Sequence, residues 1–133
     1  MVCLVLANPY DYVPVAEKAI SAARAAESSL LVVFYISPTR LRRTVEELGE
    51  KGWLGPGSLR QLEDSMLEGY RALAEDVLKA VAERAEAVGV GTQVRTYEGS
   101  RLGLLGLLEA EGCSKVLADA YVGELSHPAA QEG

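Results

Sequence analysis

The sequence predicts an α/β fold in which helices cover a doubly wound parallel sheet. Two kinds of segment predict it. Short continuous apolar runs alternate along the chain with segments whose apolar residues recur every three or four positions. Such alternation of buried strands and amphipathic helices is typical of parallel sheets with right-handed crossovers. At 133 residues the chain has the length of one domain.

The first three elements are predicted to be a strand, a helix and a second strand. Residues 2–7 (VCLVLA) form an apolar run that ends at Asn8-Pro9, which predicts a strand buried on both faces. Residues 14–27 have helical apolar spacing, with a proline suited to the first turn. Residues 30–36 (LLVVFYI) are rich in β-branched and aromatic residues, so they predict a central strand.

A glycine-rich break divides the middle of the chain. Residues 40–51 predict a short helix, and residues 52–57 contain three glycines and a proline. The one tryptophan, Trp53, lies in this loop as either a contact surface or a packing anchor. From residue 59 an apolar stripe predicts a helix of about thirty residues, which Gly89 ends.

The last three elements repeat the strand and helix pattern. Residues 92–97 alternate polar and apolar side chains, as in a half-exposed strand near a sheet edge. Ser100 is placed to cap a helix over 101–111, and Gly112 ends it. Residues 115–118 (KVLA) predict another strand. We therefore expect one domain over residues 1–122, followed by a flexible tail over 123–133.

Composition excludes several classes of function. A net charge of −6 repels polyanions, so we expect no nucleic-acid binding. The longest apolar run is far too short to cross a bilayer, and we expect a cytoplasmic protein without a membrane partner. Cys3 and Cys113 lie far apart without CxxC spacing, which predicts buried reduced thiols rather than a metal or redox site.

No set of catalytic or metal-ligating residues is recognisable, so we do not expect an enzyme. The single histidine, His127, lies in the predicted tail, where the fixed geometry of a general base is absent. The basic cluster of Arg40, Arg42 and Arg43 is followed by two glutamates, which is typical of a solvated helix face rather than an anion site.

Ligands of doubly wound sheets bind beyond the carboxyl ends of the strands, where the strand order reverses. Asn8, Pro9 and Tyr10 follow the first strand and form either a structural turn or a ligand loop. The segments after the other strands are the remaining places for a site.

At this level of detail the chain resembles the universal stress protein family. The resemblance runs through residues 2–36, through RAEAVGVGTQVRTYEGS at the end of the long helix, and through LLGLLEAEGCSKVLADA. It implies a sheet of order 3-2-1-4-5 that binds adenine nucleotides. It also implies that Tyr35 lies beside the adenine pocket, where it either stacks on a base or serves as a core aromatic.

Two departures from the family concern its nucleotide site. Nucleotide-binding members end the first strand with aspartate and follow the fourth with G-x-x-G-x(9)-G-(S/T), whose amides hold the phosphates. Here Asn8 takes the place of that aspartate, and Asp119 stands where the phosphate loop begins. We therefore expect a non-enzymatic stress-response or interaction module with a degenerate site and no cofactor. The alternative is a universal stress protein that binds ATP or AMP, with or without slow ATP hydrolysis. The candidate site residues are Asn8, Pro9, Tyr10, Tyr35 and Asp119.

The family's fifth strand is short or missing here, because no apolar run of strand length follows Val122. The expected order is therefore 3-2-1-4, with residues 115–118 at an exposed edge that invites pairing. We expect either a homodimer at this edge or a tail that folds back over it. The predicted interface residues are Val116, Leu117, Tyr121, Val122 and Leu125.

Overall fold

The computed structural model describes residues 1–52 and 55–122. The strands are β1 (Val2–Leu6), β2 (Leu30–Ile36), β3 (Thr92–Glu98) and β4 (Lys115–Ala118). The helices are α1 (Val13–Ala25), α2 (Pro38–Glu50), α3 (Pro56–Ala87) and α4 (Arg101–Ala110). All strand pairs are parallel, in the order β3-β2-β1-β4. The predicted fold class and strand order are confirmed.

The core forms two layers, one on each face of the sheet. Every residue of β1 and β2 is buried, so alternate side chains supply opposite layers. On one face α1 and α3 pack against the sheet through Ala19, Val77 and Val81. On the other face α4 packs through Leu104 and Leu108. The alanine-rich face of α1 brings its backbone close to the sheet.

The two sheet edges differ in exposure from the centre. β3 lies at an edge, as predicted, but most of its residues are exposed and their burial does not alternate as the sequence pattern predicted. β4 is half-buried apart from its exposed first residue. The predicted tail lies outside the described residues, so the boundary at residue 122 stays a prediction. Among the described residues, no helix is long and apolar enough to span a bilayer.

The prediction for the two cysteines is wrong, because Cys3 and Cys113 form a disulfide. The parallel pairing places Cys3 opposite Val116, which brings the turn before β4 beside the start of β1. A separation of 110 residues hides this proximity from the sequence. Chain entropy assigns about 4 to 5 kcal/mol to a loop of this size. The disulfide therefore fastens the edge strand β4 to the centre of the sheet.

Of the two glycines in α4, packing requires one and not the other. The Tyr97 ring of β3 lies against α4, and a Cβ atom on Gly103 would overlap the Tyr97 hydroxyl. No atom lies within 4 Å of a Cβ placed on Gly106. The two glycines share a helix and its propensity cost, so they form a matched pair.

We predict opposite effects of alanine at these two positions. Gly106→Ala should raise the free energy of unfolding by up to about 1 kcal/mol, since alanine is the better helix former. Gly103→Ala should lower it by about 1 to 3 kcal/mol, because the Tyr97 ring must move. Chemical denaturation measures both effects. Tyr97→Phe removes the overlapping oxygen, so it should reduce the cost of Gly103→Ala, and an equal cost in that background would contradict the explanation.

Candidate functional site

The candidate site lies at the carboxyl ends of β1 and β2. The turn after β1, the N-terminal turns of α2 and α4, and residues 119–122 after β4 all meet there. β1 is the point of reversal, because β2 lies on one side of it and β4 on the other. This is the crevice in which open α/β sheets bind ligands.

The carboxylate of Asp119 joins the ends of β1 and β4. Its Oδ2 atom accepts hydrogen bonds from the N–H groups of Ala7 and Asn8, at 2.7 and 2.8 Å. Its Oδ1 atom accepts from the N–H groups of Tyr121 and Val122, both at 3.0 Å. Asp119 is only 7% exposed. Backbone donors to a buried carboxylate make strong, charge-assisted hydrogen bonds, so this group fixes the geometry of the crevice.

The turn after β1 is closed by Asn8. Its Oδ1 atom accepts from the N–H of Tyr10 at 2.9 Å and from that of Asp11 at 3.3 Å, which is an Asx turn. Pro9 is buried, whereas Tyr10 is 79% exposed. The structure thus gives Asn8 a structural role, and a ligand role for these residues stays a prediction.

Tyr35 is a largely buried residue at the end of β2, with 8% exposure. Its hydroxyl donates to the Gly99 carbonyl at 3.1 Å, and its ring stacks on that of Tyr97 at 6.2 Å between centroids. It lines two adjacent clefts. The ring therefore already has a protein partner, Tyr97, while the residue also lines both clefts.

The structure separates the arginines of α2. Arg42 lies beside Glu63 of α3, with its Nε atom 3.6 Å from the carboxylate, whereas Arg40 and Arg43 line a cleft with Arg101 of α4. Arg40 donates to the Tyr121 carbonyl at 2.8 Å, and Arg101 donates to the Val122 carbonyl at 2.6 Å. The interpretation of the whole cluster as a solvated helix face therefore misses the convergence of two members with Arg101.

Two clefts open beside each other above Tyr35. The first is mainly apolar, has a volume of about 100 Å³ and lies between the sheet, α2 and α3. The second, which we call the arginine cleft, has a volume of about 230 Å³. The described residues lining the arginine cleft are Tyr35, Ser37, Thr39, Arg40, Arg43, Arg101 and Val122.

An ion pair joins α3 to the end of β3 near this crevice. Arg71 donates two hydrogen bonds to Glu98, at 2.6 and 2.8 Å. The hydrogen bond to Arg71 lowers the pKa of Glu98. The stabilisation that the pair supplies is present above the ordinary pKa of glutamate and is lost as the pH falls through the lowered value.

The other predicted site and interface residues differ in accessibility. Val116 and Leu117 are half-buried on β4, and Tyr121 is 51% exposed. Val122 is 2% exposed, since its side chain packs into the core of its own chain. Leu125 lies outside the described residues, as do His127 and Trp53. Within the described ranges, no three His, Cys, Asp or Glu side chains are grouped to hold a metal ion.

Solved structures identify the fold. A protein of the universal stress protein family from Burkholderia pseudomallei aligns with a TM-score of 0.67 and 16% identity, over 98% of this chain and 85% of that chain. The chain has the universal stress protein fold. The universal stress protein UspA from Lactobacillus plantarum aligns at 0.64 and 11% identity, over 95% of this chain and 81% of that chain.

A third structure with the universal stress protein fold was solved with a ligand. This universal stress protein in complex with cAMP aligns with a TM-score of 0.56 and 13% identity, over 97% of this chain and 80% of that chain. No family model and no curated protein matches the sequence. The likeness is therefore one of fold, and the chemistry of the site rests on the residues of this chain.

Proposed function

We propose that the protein is a divergent universal stress protein that acts without catalysis, as a stress-response or interaction module with a degenerate nucleotide site. The fold supports the first part of this proposal. The Asp119 carboxylate carries the second part, because it accepts hydrogen bonds from backbone amides at the ends of both β1 and β4.

Asp119 opposes phosphate binding in two ways. The N–H groups of Tyr121 and Val122, which follow β4 as the family's phosphate-binding amides do, donate to its Oδ1 atom, so a phosphate would have to displace the carboxylate to reach them. The carboxylate also places negative charge where the phosphates would lie, and like charges in a buried crevice repel strongly. An internal anion thus takes the place that a phosphate loop gives to an external one.

A second candidate function is the binding of ATP or AMP. The structural neighbour solved with cAMP favours it, as does the arginine cleft, which supplies cations beside Tyr35. In this alternative the arginines hold the phosphates instead of a glycine-rich loop. The location of any bound nucleotide separates the two modes of binding, since only the family's mode requires the Asp119 carboxylate to leave the amides that it holds, those of Ala7 and Asn8 among them.

We further propose that the protein forms a homodimer through the free edge of β4. β4 pairs with β1 on one side, and no described strand pairs with its other side. Val116, Leu117 and Tyr121 present partly exposed apolar surface there, whereas Val122 serves its own core. Closed two-fold pairs are the commonest soluble oligomers, and such a pair would cover this edge.

The cytoplasmic location expected from the sequence stays a proposal. Structural disulfides such as Cys3–Cys113 are common in oxidising compartments and in intracellular proteins of hyperthermophiles. If the protein is cytoplasmic, the disulfide therefore requires a cytoplasm in which such a bond persists.

We predict that magnesium ATP leaves the Ala7 and Asn8 amides unperturbed. A titration followed by two-dimensional ¹H–¹⁵N NMR to about 5 mM nucleotide should show no saturable shift of these two resonances, because Asp119 holds both N–H groups. Adenosine alone is the control for contacts made by the base. A saturable shift of both amides with magnesium ATP would support nucleotide binding in the family's mode and contradict the degenerate site.

The dimer proposal predicts sensitivity to a proline on β4. The Asp119 N–H donates to the Val5 carbonyl, and successive residues of a strand direct their N–H groups to opposite sides. The Ala118 N–H therefore faces the free edge. Ala118→Pro removes that donor, so light scattering should show a dimer for the unaltered protein and a monomer for the variant.

Ala118→Ser is the matched control, because it changes the side chain and retains the N–H. It should remain dimeric at the same micromolar concentration. Circular dichroism would check that both variants are folded. A monomeric unaltered protein, or a folded Ala118→Pro variant that is still a dimer, would refute pairing through this edge.

A further inference from the structure

The arginine cleft concentrates positive charge in an acidic molecule. Three guanidinium groups line it, and no Asp or Glu is among the described residues around it. The whole chain carries a net charge of −6. Because a concave, low-dielectric surface focuses the field of its own charges, this cleft attracts anions that the rest of the molecule repels.

Contacts within the protein position two of these arginines. Arg40 of α2 is held by the Tyr121 carbonyl and Arg101 of α4 by the Val122 carbonyl. A guanidinium has five N–H donors, so one carbonyl contact does not exhaust those of Arg40. Arg43 makes no hydrogen bond or ion pair within residues 1–52 and 55–122. The cleft thus combines two positioned cations with one that has no partner among the described residues.

The neighbouring side chains add polar donors. Ser37 and Thr39, at the start of α2, both line the cleft. The Ser37 hydroxyl oxygen already accepts from the Arg40 N–H at 3.2 Å, so its hydrogen is available to donate elsewhere. Hydroxyl and guanidinium groups around one concave site suit a tetrahedral oxyanion, which offers acceptors in several directions.

From these observations we propose that the arginine cleft binds the phosphate group of a small phosphorylated ligand. A phosphomonoester carries close to two negative charges above pH 7, which the three positive charges of the guanidinium groups more than offset. A volume of about 230 Å³ is smaller than a typical ligand pocket, so it suits a head group. The adjoining apolar cleft shares Tyr35, Ser37 and Arg40 with it and would receive an apolar part of the ligand.

This site is separate from the two amides at the end of β1 that Asp119 holds. No atom of Ala7 or Asn8 lines the arginine cleft, although Val122, whose amide Asp119 also holds, does. The inference therefore does not rest on the degenerate site. In an NMR titration the amide of Asn8, a residue that lines neither cleft, distinguishes a phosphate in the arginine cleft from one that displaces the carboxylate.

The experiment titrates the full chain with inorganic phosphate and with phenyl phosphate, at pH 8 and constant ionic strength. We expect saturable shifts at Ser37, Thr39 and the Nε–H groups of the lining arginines, with a Kd of about 1 mM or tighter for phenyl phosphate. Binding of both probes would indicate a site for the phosphate group itself. Tighter binding of phenyl phosphate would show that the apolar cleft contributes.

Two substitutions of arginine by neutral glutamine on α2 test whether phosphate binding depends on the arginine that lines the cleft. Arg43→Gln removes a lining cation that has no other described contact, so we expect about tenfold weaker binding with an unchanged melting temperature. Arg42→Gln removes the same charge from the adjacent position, which faces Glu63, and should bind as the unaltered protein does. Equal weakening by both variants, or no saturable binding of either probe, would overturn the proposal.

Discussion

The crevice depends on one buried carboxylate. Asp119 accepts hydrogen bonds from two N–H groups after β1 and from two after β4. Buried N–H groups without partners cost about 1 to 3 kcal/mol each, so the four donors need an acceptor at this point. The turn at Asn8, the path of residues 119–122 and the arginine contacts to that segment all follow from this arrangement.

The same constraint changes the chemistry expected of the fold. A strand end that offers amides to solvent can bind a phosphate, whereas these amides serve an internal anion. The cations beside the crevice instead come from side chains on α2 and α4. Arg40 and Arg101 also fix the segment after β4, so the wall of the arginine cleft depends on the position of Asp119. The stability of the fold and the shape of the arginine cleft are therefore linked through residues 119–122.

Local sequence patterns predicted the elements well, because each strand and helix carries its own period. The strands at 30–36 and 115–118 have the predicted bounds, and Ser100 caps α4 as expected. The long α3 stripe is buried from Val77 to Ala85, but Val88 is 40% exposed at the helix end. Periodicity does not specify which residues at the end of a helix are covered by other elements.

Contacts between distant residues were beyond the sequence. The Cys3–Cys113 disulfide depends on the register of β1 and β4. The sequence predicted Asp119 as a site residue, but it could not predict that the carboxylate accepts hydrogen bonds from four amides. Arg101 was missed because it lies 58 residues from Arg43, the nearest other arginine of the cleft along the chain. The need for glycine at position 103 likewise depends on a contact with another element, the Tyr97 side chain of β3.

Hydrogen exchange in an Asp119→Asn variant tests the role of the carboxylate most directly. Asparagine has the same shape, but its NH₂ group is a donor and cannot accept a hydrogen bond. Its one oxygen atom can accept from one pair of amides, so the other pair loses its acceptor. The account predicts that at least one pair, Ala7 with Asn8 or Tyr121 with Val122, exchanges about tenfold faster or more, while Val33 of β2 changes less. Unchanged protection at all four amides would contradict the central place given to this carboxylate.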